Sequence, residues 1–386
     1  MPEAVIVDAI RTPIGRAFKG SLTGVRPDDM TAYVVDQLLD RNPEVKPEEI
    51  EDLVCGCGMT QGEQAYNIGR IAVLLSRLPD TVTGSTIARY CASSLNAIRI
   101  GADAIKAGDG DVYIAAGVES VSRVGPNSEA TLPETQNEKL NGQDGRTNAY
   151  IQMGETAENV AERYEVSRSD MDKYAKRSQD LAVEARDSGF FDREIVPVET
   201  PDGNTVDKDD GPRPGTTIEK LAELKPAFRE GGKVTAGNSC PLNDGAAAVL
   251  LMSEEKAKEL GAKPRARIIA AAASGLEPEI MGVAPIGAIK NVLKRAGMTI
   301  DDVDVVELNE AFAAQVIPIM SEVGIPLEKL NPHGGAIALG HPFGMTGARI
   351  MATLLNDLET DDKQIGLETM CVAGGQGMAM VVERMN

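Results

Sequence analysis

Residues 81–116 read TVTGSTIARYCASSLNAIRIGADAIKAGDGDVYIAA, and this stretch decides the fold. Its first part, 81–87, is rich in β-branched residues and predicts a strand, whereas 92–107 has apolar side chains at helical spacing. A further strand is predicted over 111–116. Because a strand, a helix and a strand in this order imply a crossover between parallel strands, the stretch predicts an α/β protein.

The same alternation extends along the chain in both directions from this stretch. The first half also contains predicted strands over 5–9, 50–57 and 246–252 and predicted helices over 28–39 and 254–261. A second series follows, with predicted strands over 266–272, 303–308, 366–370 and 378–383 and predicted helices over 287–296 and 344–358. We therefore predict two α/β halves, residues 1–260 and 265–386, related by their order of elements.

Residues 120–233 interrupt the first half. They are polar and rich in Pro, Gly, Asn and Asp, with one charged helix predicted over 167–189. We interpret this segment as an inserted loop region.

The composition excludes several classes of partner. With 39 Lys and Arg against 59 Asp and Glu, the net charge of -20 opposes general attraction to nucleic acid or anionic lipid. No stretch approaches the ~20 apolar residues of a membrane helix. The N-terminal MPEAVIVDAIRTPIG predicts a strand rather than a signal sequence. We therefore expect a cytoplasmic protein with no nucleic-acid or membrane partner, in which any anionic ligand is held by local basic groups.

The cysteines indicate reduced thiols. There are five, an odd and scattered set in a long chain, so a disulfide framework is not expected. Cys55 and Cys57 lack a second pair of ligands, and His333 and His341 are the two histidines of the sequence. We therefore expect no metal site and interpret Cys55 and Cys57 as small core residues.

Two segments carry candidate reactive groups beside predicted helices. Cys91 lies in RYCASSLNA at a strand-to-helix junction, where free helix N–H groups and the positive end of the helix dipole favour a thiolate. The alternative is a buried cysteine that acts as a small hydrophobe. His341 lies in GGAIALGHPFGMTGAR, where glycines allow backbone and ligand to approach closely. The alternative for His341 is an ordinary surface or core position.

Two further segments contain candidate functional side chains at the ends of predicted strands. Cys371 lies in MCVAGGQGMA, where a strand runs into glycines. Asn309 begins NEAFA directly after the strand VDVVEL, a position that suits an amide orienting water or substrate. The alternative reading of Asn309 is a helix cap.

Taken together, these segments resemble the thiolase family. RYCASSLNA, TAGNSCPLNDGAAA over 235–248, NEAFA, GGAIALGHP and the terminal C-x-x-G-G-x-G occur in the family's order and spacing, and the resemblance runs from DAIRTPIG at Asp8 to the final strand. It implies the thiolase fold, with two halves forming a five-layered αβαβα core and the insertion shaping a CoA site. It also implies a homodimer or homotetramer that acts on acetyl-CoA, 3-ketoacyl-CoA and CoA as substrates, with no tightly bound cofactor.

The resemblance also implies a mechanism. Cys91 is expected to form an acyl-enzyme in a ping-pong reaction. His341 is expected to take the proton of Cys91 and to donate a hydrogen bond to the thioester oxygen, while Asn309 holds a water that completes that oxyanion site. Cys371 is expected to be the acid–base at the α-carbon, and the backbone N–H groups of Cys91 and Ala373 are expected to form a second oxyanion site.

The resemblance extends to CoA binding. The positions that match the family's CoA contacts are Met153, Arg213, Lys220, Phe228, Ala236, Ser239, Cys240, Ala311 and Phe312. Of these, Arg213 and Lys220 would supply positive charge for the phosphates of CoA.

Three positions depart from the family pattern. Ala373 replaces a glycine, so that a Cβ there costs ~1 kcal/mol if the position requires a positive φ. Gln152 replaces a histidine that often contacts the CoA arm, which leaves His341 for acid–base work. Cys240 replaces a serine that commonly touches pantetheine, with Ser239 beside it.

Two other functions are alternatives to a thiolase. A ketoacyl synthase needs two active-site histidines around its cysteine, whereas His333 is the one spare histidine here. A non-catalytic thiolase-like subunit that binds acyl-CoA or a partner would generally have lost a catalytic residue, but all four are present. Cleavage of a 3-ketoacyl-CoA and synthesis of acetoacetyl-CoA use the same residues, so the sequence separates neither direction nor chain length.

Overall fold

A computed structural model gives the fold of residues 2–125, 135–145 and 147–385. Part of the predicted loop region, residues 126–134 and 146, lies outside the described residues. The strands are β1 Ala4–Arg11, β2 Gly15–Arg16, β3 Asp52–Cys57, β4 Thr83–Ile87, β5 Val112–Ser120, β6 Val198–Glu199, β7 Thr205–Val206, β8 Asn243–Ser253, β9 Ala266–Gly275, β10 Val305–Leu308, β11 Ile365–Val372 and β12 Gln376–Arg384. The α-helices are α1 Pro27–Arg41, α2 Ile68–Leu75, α3 Ser93–Ala107, α4 Val121–Val124, α5 Met153–Arg163, α6 Arg168–Asp187, α7 Ile218–Ala222, α8 Glu254–Leu260, α9 Pro285–Ala296, α10 Ala313–Val323, α11 Ala336–Leu339 and α12 Thr346–Thr360.

The two halves repeat one strand topology. The large sheet has the order β10-β11-β12-β9-β1-β8-β5-β3-β4, and β2 pairs with β8. In the first half β3 and β5 are parallel, β5 and β8 are antiparallel, and β8 and β1 are antiparallel. In the second half β10, β11, β12 and β9 follow with the same three relations in the same order. The halves meet where β1 pairs with β9 at two positions, Val5 with Arg267 and Ile6 with Ala266.

The helices form three layers that alternate with the two halves of the sheet. Apolar residues of α1 and α2 pack on one face of the first half, and those of α9 and α10 pack on the outer face of the second. Between the halves, one core joins α3 and α12 with residues from the inner faces of both. This arrangement confirms the predicted five-layered αβαβα core, and it places α3 and α12 at its centre.

Strand alternation explains why each half can bury both faces. In β8 Ala247, Val249 and Leu251 face the central helices, whereas Ala246, Ala248, Leu250 and Met252 face the outer layer. Successive side chains of a strand point to opposite faces, so a continuous apolar run is required where helices cover both.

The insertion contains more helix than expected. The predicted charged helix is α6, which Ser167 caps by accepting a hydrogen bond from the N–H of Asp170. The sequence did not predict α4, α5 and α7 of the insertion, nor α2, α10 and α11 elsewhere. Ala157 and Ala161 of α5 and Met171 of α6 pack into the outer core of the second half. The region read as polar loops therefore also covers one face of the fold. No helix among the described residues is long and apolar enough to cross a membrane.

Candidate active site

Cys91 lies directly before the N-terminus of a central helix. Strand β4 ends at Ile87, the chain makes a short 3-10 turn over Tyr90–Ala92, and α3 begins at Ser93. The Ser93 hydroxyl donates to the Tyr90 carbonyl at 2.6 Å and accepts from the backbone N–H of Arg89 at 2.9 Å. These two hydrogen bonds stabilise the turn. Tyr90 has a φ of 44°, an unfavourable conformation for a bulky residue. Such strain persists where the surrounding structure over-determines it, and it clusters at functional sites.

The surroundings of Cys91 favour the thiol. Burial raises the pKa of the Cys91 thiol well above its ordinary value, and Cys371 and Cys240 raise it further, whereas a hydrogen bond from the backbone N–H of Ala373 lowers it. The folded site therefore favours the thiol rather than the thiolate expected at a helix terminus, because desolvation by burial is the largest cause of the shift in pKa. A proton acceptor is needed to activate this sulfur.

His341 is held as a neutral base. It follows Gly340, whose φ is 114°, and the backbone N–H of His341 donates to the Asn243 Oδ1 at 2.9 Å. Its Nδ1 lies 2.6 Å from the Thr346 Oγ1, and that hydroxyl donates to the Pro342 carbonyl at 2.8 Å. Since the Thr346 proton is used in this way, Nδ1–H of His341 is the donor and Nε2 keeps its lone pair. Burial lowers the pKa of His341 to about 3, with Arg349 acting in the same direction.

Asn309 contacts this histidine. Its Nδ2 lies 3.3 Å from the His341 Nε2, so the amide donates to the lone pair. The helix-cap alternative is wrong, because α10 begins at Ala313 and its N-cap is Phe312. The Oδ1 of Asn309 is buried and accepts no hydrogen bond from the described part of the chain. This oxygen can therefore accept a hydrogen bond from water.

Cys371 and Ala373 lie where β11 turns into β12. Cys371 pairs with Gly377 in the ladder, and the turn contains Gly374 and Gly375 with φ values of 79° and 78°. Ala373 is not among the positive-φ residues, so the condition under which its Cβ would cost ~1 kcal/mol is not met. Burial raises the pKa of Cys371 to about 11, although a hydrogen bond from Gln315 opposes this.

A cavity of about 570 Å³ opens beside Cys91 and Ala373, whereas His341, Asn309 and Cys371 are not among its lining residues. Phe343, whose ring lies edge-on to His341 at 5.2 Å, is part of its wall. The cavity is lined by Gly58, Met59, Thr60, Gln61, Ala88, Tyr90, Cys91, Met153, Phe343 and Ala373. We call it the Cys91 cavity.

Most of the expected CoA contacts form one neighbourhood beside this cavity. Phe228 and Phe312 meet edge to face with centroids 5.9 Å apart, and 41% of Phe228 is exposed. A Cβ on Gly154, next to Met153, would lie 2.0 Å from the Phe228 ring, which shows how closely the two segments pack. The N–H of Cys240 donates to the Ala311 carbonyl at 2.9 Å.

The remaining expected CoA contacts differ in exposure. Arg213, Lys220 and Ala236 are exposed and do not line the Cys91 cavity. The helix of Lys220 still approaches Ala236, because Leu221 packs against Gly237. Ser239 is buried, and its hydroxyl donates to the Thr235 carbonyl at 2.7 Å, whereas Cys240 is partly exposed. Gln152 is the N-cap of α5 without a side-chain capping bond.

Two residues of the site were missed from the sequence. Thr346 sets the tautomer of His341, and Gln315 contacts Cys371. Both lie within a helical turn or two of residues singled out in GGAIALGHPFGMTGAR and NEAFA, but sequence patterns do not show which way such side chains point.

Comparison with known proteins identifies relatives over the whole chain. Two family models match, "Thiolase, N-terminal domain" over residues 4–255 and "Thiolase, C-terminal domain" over residues 262–384. A beta-ketoadipyl-CoA thiolase of Escherichia coli is 46% identical over 100% of both chains. A 3-ketoacyl-CoA thiolase of Stutzerimonas stutzeri is 43% identical over 99% of this chain and 98% of its own.

Solved structures agree with these relatives. The Bacillus anthracis acetyl-CoA acetyltransferase superposes with a TM-score of 0.92 and 40% identity over 100% of this chain and 99% of its own. The dimeric peroxisomal thiolase of Saccharomyces cerevisiae superposes with a TM-score of 0.93 and 38% identity, covering 100% of this chain and 98% of its own.

Proposed function

Because this chain belongs to the thiolase family, it is an acyltransferase that acts on CoA thioesters through a cysteine, and we propose how its residues divide that work. Cys91 is the nucleophile, His341 its base, Asn309 the partner of that base, and Cys371 the acid–base at the α-carbon. Two sets of contacts carry this proposal. One joins Cys91 to the Ala373 N–H, and the other joins Cys371 through Gln315 to the backbone of Asn309, whose side chain contacts His341.

Acylation begins with transfer of the Cys91 proton. The neutral Nε2 of His341 accepts it, and the sulfur attacks the C3 carbonyl of a 3-ketoacyl-CoA. The imidazolium that results carries a proton on Nε2 and can donate it to the developing oxyanion. A water on the Asn309 Oδ1 would complete that oxyanion site, while the N–H of Ala373 and that of Cys91 would form a second one.

Cys371 acts on the carbon–carbon bond. When the C2–C3 bond breaks, its thiol protonates the acetyl-CoA enolate and becomes a thiolate. The proton on His341 then restores the Cys371 thiol, and neutral His341 takes the proton of a second CoA, whose sulfur attacks the acyl-Cys91. The shortened acyl-CoA leaves, and Cys91 regains its proton from His341. In condensation the same groups run in reverse, and Cys371 removes an α-proton from acetyl-CoA.

The walls of the Cys91 cavity favour a substrate whose acyl group is uncharged. Its ten lining residues are all uncharged. A carboxylate enclosed there would lose hydration without gaining an ion pair. The name of the Escherichia coli relative raises the alternative of an ω-carboxylated chain. We expect 3-ketohexanoyl-CoA to be cleaved with a higher kcat/KM than 3-oxoadipyl-CoA, which also has six carbons in its acyl group. The reverse preference would refute this assignment.

The remaining assignments are proposed on the same basis. The CoA arm would lie along Phe228, Phe312 and Ala236, with Lys220 and Arg213 near its phosphates. The protein would act in the cytoplasm as a homodimer or homotetramer, without a tightly bound cofactor. The break between the two family models and the repeated strand topology support a boundary between the halves at residues 260–265.

The test distinguishes the role of Cys91 in acylation from the role of Cys371 in the carbon–carbon step. Cys91→Ala should lose every partial reaction. Cys371→Ala should still exchange labelled CoA into acetyl-CoA through acetyl-Cys91, yet lose at least ~10²-fold in acetoacetyl-CoA thiolysis. Circular dichroism of each purified variant controls for folding. Equal loss of exchange and thiolysis in Cys371→Ala would place Cys371 in acylation, and normal thiolysis would remove it from the mechanism.

A further inference from the structure

Gln315 directs both ends of its amide at the sulfur of Cys371. Its Nε2 lies 3.1 Å and its Oε1 3.5 Å from the Cys371 Sγ. Both side chains are fully buried. The Nε2 also lies 3.5 Å from the Asn309 carbonyl, which fixes the orientation of the amide.

An amide suits a sulfur that changes protonation state during turnover. A thiolate needs a donor, and the N–H₂ group supplies one; a thiol needs an acceptor, and the carbonyl supplies one. In a dry site, burial alone raises the pKa of Cys371, so the thiolate is costly unless a donor faces it. A carboxylate at this position would serve only the thiol.

The surrounding structure keeps Gln315 in this place. It occupies the first turn of α10, which begins at Ala313. Gly282 faces it, and a Cβ on Gly282 would lie 2.9 Å from the Gln315 Cβ and 3.1 Å from its Oε1. Since Gly282 does not have a positive φ, alanine there would displace the amide mainly by its volume.

We propose that Gln315 is a positioning residue for the carbon–carbon step, which orients the S–H of Cys371 and stabilises its thiolate without taking part in formation of the acyl-enzyme. This inference rests on the acid–base role proposed for Cys371.

The experiment compares two reactions that share Cys91 and His341. In Gln315→Met, exchange of labelled CoA into acetyl-CoA should stay within threefold of the parent rate, whereas acetoacetyl-CoA thiolysis should fall at least tenfold. The limb of the condensation pH profile that rises with deprotonation of Cys371 should move to higher pH. Gln315→Glu, which keeps an acceptor and loses the donor, should show the same alkaline displacement. Gly282→Ala should reproduce the selective loss with the amide intact.

Controls distinguish this inference from the proposed function. Asn42→Leu removes a buried amide that donates to the Leu38 carbonyl in the outer layer of the first half, and it should leave the ratio of the two reactions unchanged. Normal thiolysis in Cys371→Ala would refute the role of Cys371 itself. If Cys371→Ala is impaired, the Gln315 proposal alone is overturned by either of two results in Gln315→Met: parental thiolysis with an unmoved pH limb, or equal loss of both reactions.

Discussion

The turn between β11 and β12 offers a matched pair of substitutions. Gly374 and Gly375 have nearly the same φ, 79° and 78°. A Cβ on Gly374 would have its nearest neighbour at 4.0 Å, the Gln376 side chain, whereas one on Gly375 would lie 2.1 Å from the Leu276 carbonyl oxygen. Alanine at the two positions therefore has the same conformational cost but a different steric one.

The magnitudes follow from these distances. Left-handed backbone costs an alanine roughly 1–2 kcal/mol, so Gly374→Ala should lose about that much stability and Gly375→Ala more. In Gly375→Ala the Cβ must also move from 2.1 Å to beyond 3.0 Å, and the neighbouring atom belongs to the backbone. The turn that holds the Ala373 N–H near Cys91 must then shift by about 1 Å. A misplacement of this size costs on the order of 10²-fold in rate.

Acetoacetyl-CoA thiolysis, followed at the enolate absorbance, measures the effect on rate, and thermal melting measures stability. Gly374→Ala should keep kcat/KM within about threefold of the parent, whereas Gly375→Ala should lose about 10²-fold. Equal activities in the two variants, with both folded, would show that the position of this turn does not control catalysis.

Three other predictions concern single residues. Ala373→Gly should leave kcat within about twofold, because the alanine has no positive φ to relieve; a tenfold rise would show strain that the backbone does not reveal. Iodoacetamide should alkylate Cys91, which borders the cavity, before the fully buried Cys57, as peptide mapping in a Cys240→Ser background would measure; prior modification of Cys57 with parallel loss of activity would contradict this. The pKa of His341 falls from 6.5 to about 3 on folding, so its neutral form is favoured in the native state and stability is lost as pH falls below 6.5 toward 3. Between pH 7.5 and 5 the protein should therefore lose about 2 kcal/mol more than His341→Asn in urea unfolding, and equal losses would refute the low pKa.

Much of the fold follows from the sequence because its core is regular. Periodic apolar residues located α3 and α12, and continuous apolar runs located β5, β8 and β11. The predictions were wrong at the ends of elements, and they omitted helices that are buried on most sides. In α10, Pro318 lies inside the helix and nearly every early position is buried, so no polar face marks it as amphipathic.

The candidate site could be identified only as separate motifs. The residue types of Cys91, His341 and Cys371 are visible in the sequence, but their protonation is not, since it depends on burial that only the folded chain produces. For this reason the sequence could not show that burial favours the Cys91 thiol, or that Ala373 has no positive φ. The partner of each reactive group, Thr346 or Gln315, depends on side-chain direction and therefore on tertiary packing.

The repeated topology has a consequence for how two unlike groups can occupy equivalent positions in the two halves. Helices α3 and α12 occupy equivalent places in the two halves, each leading into the parallel partner of β3 or β10. Cys91 precedes one of these helices and His341 the other. Two identical half-size chains meeting about a twofold axis would present the same side chain at both places, either two thiols or two imidazoles. Joining the halves in one polypeptide allows the sequence of each half to vary independently. A scaffold with repeated topology can therefore hold a thiol, Cys91, before one helix and its base, His341, before the equivalent helix.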